Sequence, residues 1–74
     1  MKRYVWARSV SPPDAFQYIR DESGEEYRCG TSTEALTLLP RVRAQVQKFN
    51  SSDQTIYLLK ETSEIVSEYP VKEE

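Results

Sequence analysis

The sequence predicts an α+β fold: an antiparallel sheet of about five strands in the order β-β-β-α-β-β, with one helix packed on one face. Three observations lead there. Five segments, most of them rich in aromatic and β-branched residues, alternate with period two. One segment repeats its apolar residues at spacings of three and four behind a capping box. Proline, glycine and short polar clusters separate these segments where turns are needed.

Arg3 to Val10 contains neither Gly nor Pro and reads as a strand, with Tyr4 and Trp6 on one face and Val5 and Ala7 on the other. Apolar groups on both faces mark a central strand. Ser11-Pro12-Pro13-Asp14 ends it, because neither proline donates to a ladder. Residues 12–19 admit two readings. Ser11, Pro12 and Asp14 fit the N-cap, N1 and N3 positions of a short helix ending at Ile19. The alternation of Gln17, Tyr18, Ile19 and Arg20 favours a hairpin instead, with strands Phe16 to Asp21 and Glu25 to Cys29. Gly24 then supplies the positive φ of the turn.

The helix follows. Thr31 is the expected N-cap, with Glu34 three residues on, and the stripe is Ala35, Leu38, Leu39, Val42, Val46 and Phe49. Pro40 lacks a backbone donor and crowds the preceding turn, so a kink or a restart is expected there. Asn50-Ser51-Ser52-Asp53 stops the helix. Thr55 to Lys60 and Glu64 to Tyr69 form the last hairpin around Glu61-Thr62-Ser63, and Pro70 closes it. Residues 1–71 make one domain, and Lys72-Glu73-Glu74 a solvated tail.

Composition bounds the function. A chain of 74 residues is at the small end of what one core can stabilise. No apolar run approaches the ~18 residues of a membrane span, and charge interrupts the first eight residues too early for a secretory signal. A cytoplasmic protein is expected. There is no histidine and one cysteine, Cys29, so the usual general base and a thiolate-rich zinc site are both missing. Gly24 and Gly30 lack the Lys-Ser/Thr of a phosphate loop, and the acidic run from Asp21 to Glu26 lacks calcium-loop spacing. We therefore expect no enzyme activity, no catalytic residues, no cofactor and no metal. Cys29 reads as a buried structural thiol. The competing view places it near the positive N-terminus of the helix, where its pKa would fall.

Two binding chemistries come into view. Tyr4, Trp6, Tyr18 and Arg8 could stack bases, and residues 1–48 carry eight Lys/Arg against six Asp/Glu. The overall charge of −2 argues against nucleic acid as the partner. The C-terminal end is acidic: Glu61, Glu64 and Glu68, the last two expected on one strand face, join Asp53, Glu73 and Glu74. Such a field attracts a basic protein surface.

Area decides between them. A helix of about 15 residues is ~22 Å long and ~10 Å wide. Five strands at ~4.8 Å spacing span about 20–24 Å. The helix covers the middle of one face, while apolar residues point to both, which leaves a patch of the kind that marks interaction surfaces. The expected function is a non-catalytic protein–protein interaction module. It would be a small inhibitor or adaptor of phage or mobile-element type, binding another protein or itself as a homodimer. The candidate interface residues are Tyr4, Trp6, Arg8, Arg20, Tyr57, Leu59, Val66, Glu61, Glu64 and Glu68. The alternatives are a nucleic-acid-associated module using the N-terminal half and a structural or regulatory homodimer.

Overall fold

Strand β1 (Tyr4–Val10) organises a computed structural model of the chain, which describes residues 2–10, 15–49, 55–61 and 64–72. Along one edge it pairs antiparallel with β4 (Thr55–Lys60), from Tyr4 opposite Lys60 to Arg8 opposite Ile56. Along the other edge it carries two short strands end to end. β2 (Ala15–Tyr18) lies on its C-terminal half, and β3 (Arg28–Cys29) on its N-terminal end. β5 (Glu64–Pro70) pairs with the far side of β4, giving the order β2-β1-β4-β5 with β3 also on β1. The predicted class holds: one helix on a five-stranded antiparallel sheet.

The second and third strands differ from expectation. Read from alternation, they run to Asp21 and from Glu25 and pair with each other. Here they pair chiefly with β1, and the chain leaves the sheet edge between them. Trp6 marks the point of departure. Its carbonyl accepts from the Ile19 amide at 3.0 Å, and its amide donates to the Tyr27 carbonyl at 3.1 Å. Beyond that, a Tyr27–Ile19 backbone bond and a bridge between Arg20 and Glu26 start a small projecting hairpin. Pairing of the two segments with each other alone would leave this edge of the central strand β1 without backbone partners. The hairpin tip is an Asx turn. Asp21 Oδ1 accepts from the Ser23 amide (2.8 Å), the Ser23 hydroxyl (2.6 Å) and the Glu25 amide (3.1 Å). Gly24 takes φ +90°, as the turn demands.

Helix α1 (Ser32–Phe49) is capped as the sequence implies, with Thr31 Oγ1 accepting from the Glu34 amide at 3.2 Å. It passes through Pro40 without restarting there. Pro40 and Leu36 are both exposed, so the carbonyl deprived of its partner lies on the watered side of the helix. Ala35, Leu39, Val42 and Val46 are buried, and Leu38 is half-buried against the core. Phe49 departs from the predicted stripe, being 59% exposed beneath the Lys48 ammonium. Past the end of β5, Arg43 Nε donates to the Pro70 carbonyl (3.0 Å) and Gln47 Nε2 to that of Val71 (2.8 Å). These clips hold Val71 in the core beside Val46.

Trp6 sits at the centre of that core with no exposed surface. Its indole N–H donates to the Ala35 carbonyl at 3.1 Å, and its ring meets that of Tyr69 at 5.5 Å and 60°. Replacing Trp6 by Ala removes the largest buried side chain and leaves a cavity, a loss of about 3–5 kcal/mol. That is comparable to the whole stability of a domain this size. The Trp6→Ala chain is expected to lose its cooperative unfolding transition in circular dichroism; a variant that still unfolds cooperatively near the wild-type midpoint would contradict this account of the core.

Candidate interaction face

Side-chain alternation along paired strands assigns every residue to the helix side or to the open side. Opposed residues share a face, so the open side reads as rows across the sheet. One row holds Arg28, Val5, Leu59 and Ile65, and the next holds Tyr18, Ala7, Tyr57 and Glu68. Phe16 stands beyond Tyr18 on the same strand and face. Val5, Ala7 and Leu59 form an apolar floor with at most 1% exposure. What covers them is the chain itself. Phe16, Tyr18 and Tyr57 are half-buried and pack over that floor. The Phe16 and Tyr57 rings meet edge to face at 5.3 Å and 74°. Ala7, between Tyr18 and Tyr57 in its row, is small enough to leave room for these rings.

One border of the face is charged. The Arg28 guanidinium lies 5.3 Å from the centre of the Tyr18 ring. It also pairs with Glu26 at 2.6 Å, and Arg20 pairs with the other carboxylate oxygen at 3.0 Å. Arg20 donates in addition to the Gly24 carbonyl at 2.7 Å, tying the projecting hairpin to this border. On the opposite border Glu68 and Ile65 are exposed, Ile65 by 49%.

The predicted interface residues divide. Tyr57 and Glu68 lie on the open face, and Arg20 at its edge. Leu59 is on this face but wholly buried beneath its neighbours, a floor residue and not a contact. Trp6 must be reassigned: it points under α1 and is part of the helix-side core. Tyr4 packs half-buried against the same core, and Arg8 shares that side, bonded to Gln17. With Arg8 and Phe49, Gln17 lines a cleft of about 320 Å³ beside the end of the helix. Tyr18 alone of the four residues of the predicted base-stacking set faces the open side.

Glu64 and Glu68 do not share a strand face. The register shifts between Leu58 and Leu59, so that Leu58 opposes Ser67 while Leu59 opposes Ile65, and Val66 is the extra residue. Glu64 therefore opposes Lys60 on the helix side, and Glu68 opposes Tyr57 on the open side. Val66 is 44% exposed at this bulge. Glu61, in the left-handed region at φ +56°, pairs with Arg3 at 3.1 Å. Asp53, Glu73 and Glu74 lie outside the described residues.

Alternation in isolation does not single out Phe16, Tyr18, Arg28 or Ile65. The signal that would is parity relative to Val5 and Ala7, which requires the register. Among the described residues no charged side chain is buried, and no group of three or more Cys, Asp or Glu is placed to hold a metal ion. No helix among them is long and apolar enough to cross a membrane. Comparisons with known protein families, curated proteins and solved structures return no match.

Cys29 is buried in the helix-side core, and burial, with the Glu34 carboxylate acting in the same sense, pushes its thiol pKa up, opposite to activation by a helix N-terminus. Burial and the Asp21 charge likewise raise the Tyr27 phenol. Both groups hold their protons more tightly folded than unfolded. Their contribution to stability is thus full below the ordinary thiol pKa of about 8.5 and is lost as pH rises through the raised folded values. Urea midpoints are expected to fall between pH 8 and pH 11, and Cys29→Ala should flatten the first part of that decline; midpoints that rise over this range would contradict the assignment.

Proposed function

We propose that the chain is a non-catalytic protein-interaction module that docks through the open sheet face, in the manner of a small inhibitor or adaptor. The observation that carries this reading is the contrast between the two sides of one sheet. Beneath α1, apolar side chains are shielded by a helix and a clipped C-terminal segment. On the other side, three aromatic rings cover the floor but remain partly in water themselves, continued at the border by Ile65. Tyrosine and arginine around an apolar centre are the residue types that anchor protein interfaces, because each combines a large buried area with a polar end. Glu68, adjacent to Tyr57, brings the acidic hairpin into the same surface. Glu64, on the helix side, and Glu61, paired with Arg3 in the turn, lie outside it.

The test is comparative capture from the native cell. Wild-type chain, Tyr57→Lys and Leu36→Lys serve as baits. The last alters an exposed apolar residue on the outer side of α1 and acts as the control. Truncating or charging a central interface anchor costs about 2 kcal/mol or more, roughly 30-fold in affinity. Proteins retained by wild type are expected to be retained by Leu36→Lys and depleted at least tenfold with Tyr57→Lys, provided circular dichroism shows both variants folded. Equal recovery with Tyr57→Lys and wild type would overturn the reading.

A further inference from the structure

We infer that the occupant of the open face is a second copy of this chain, packed sheet on sheet about a two-fold axis that runs along the strands between β1 and β4. This rests on the open face being the docking surface and adds its partner. The charge layout selects both the partner and the axis. Arg28, Arg20 and the Glu26 carboxylate between them border the face on the β2–β3 side with one net positive charge, and Glu68 borders it on the β5 side. Rotation about an axis along the strands exchanges those borders, so that Glu68 of each copy comes within side-chain reach of Tyr18 and Arg28 of the other. Rotation about an axis across the strands, through the row of Ala7 and Tyr57, would instead set Glu68 against its own counterpart. Like charges opposed in a desolvating interface are unfavourable. The same operation along the strands lays Val5 over Leu59 and Ala7 over Tyr57, so the apolar centre meets itself. An isologous contact needs this self-complementarity.

Area sets the strength. Four strands at ~4.8 Å and about five residues at ~3.4 Å give a footprint near 19 by 17 Å. A footprint of this size falls below the ~800 Å² per partner of a standard interface and belongs with weak, reversible association. The rings packed over Val5, Ala7 and Leu59 stand in the layer that fills the ~10 Å face-to-face spacing of aligned sheets. The dimer is accordingly expected to form in the micromolar range and not as an obligate unit.

Sedimentation equilibrium from 1 to 500 µM tests this, with far-UV circular dichroism and Trp6 emission confirming that each variant is folded. Wild type should pass from monomer to dimer within the range. Glu68→Lys and Arg28→Glu should each weaken self-association at least tenfold. Their equimolar mixture should regain wild-type affinity within about threefold, since both cross-copy contacts then pair opposite charges. If Arg28→Glu fails to fold, Tyr57→Lys takes its place, with a loss of dimer as the expected result. A wild-type chain that stays monomeric at 500 µM overturns the second copy as occupant, while the capture experiment still decides whether the face docks something else. A dimer indifferent to both Glu68→Lys and Tyr57→Lys overturns the inference, since the copies then meet through another surface, and the capture experiment again decides the docking surface.

Discussion

One residue holds the two layers and the two halves of the sheet edge in register. The indole of Trp6 is bonded to the first turn of α1 through the Ala35 carbonyl. Its backbone meanwhile receives β2 at Ile19 and the lead into β3 at Tyr27. A buried indole N–H without a partner would be costly, so the height of the helix above β1 is set by a bond as well as by packing. Once β1 and α1 are fixed to each other, the parity of β1 decides everything on the far side. Val5 and Ala7 must point away from the helix because Trp6 points towards it.

Parity was the part of the fold most open to sequence reasoning. The opposition of Tyr4 and Trp6 to Val5 and Ala7, and of Ile56 and Leu58 to Tyr57 and Leu59, is visible in the residues and is what the strands adopt. So is the Thr31 cap, because capping is a local bond between neighbours in sequence. The features that escaped are those in which alternation is reset by a partner strand. A bulge at Val66 moves Glu68 to the face opposite Glu64, and no residue type at that position announces it. The two short strands before the helix join β1 in preference to each other because of the number of backbone groups a long central strand can satisfy, a tertiary balance. Phe49 fits the helical stripe by spacing, yet at the end of the helix it borders the open cleft beside Arg8 and Gln17 and stays largely exposed. The face that carries Trp6 was likewise a tertiary question, settled by which side α1 covers.

One helix does leave the second face without a covering layer, but the floor of that face is dry all the same. Phe16, Tyr18 and Tyr57 lean over a row of small and branched side chains and shield them. The exposed material is therefore aromatic and partly polar instead of purely aliphatic, a surface tolerant of water when vacant and still favourable to cover. Arg28, stacked on Tyr18 and paired with Glu26, extends that compromise to the border.

The sheet's outer borders have a consequence for how copies can multiply. On one side the row of backbone groups is interrupted where the chain projects between Ile19 and Tyr27; on the other, the irregular step at Val66 and the terminal Pro70 break the ladder of β5. Neither rim offers an unbroken template for strand addition, which disfavours ribbon growth at both edges.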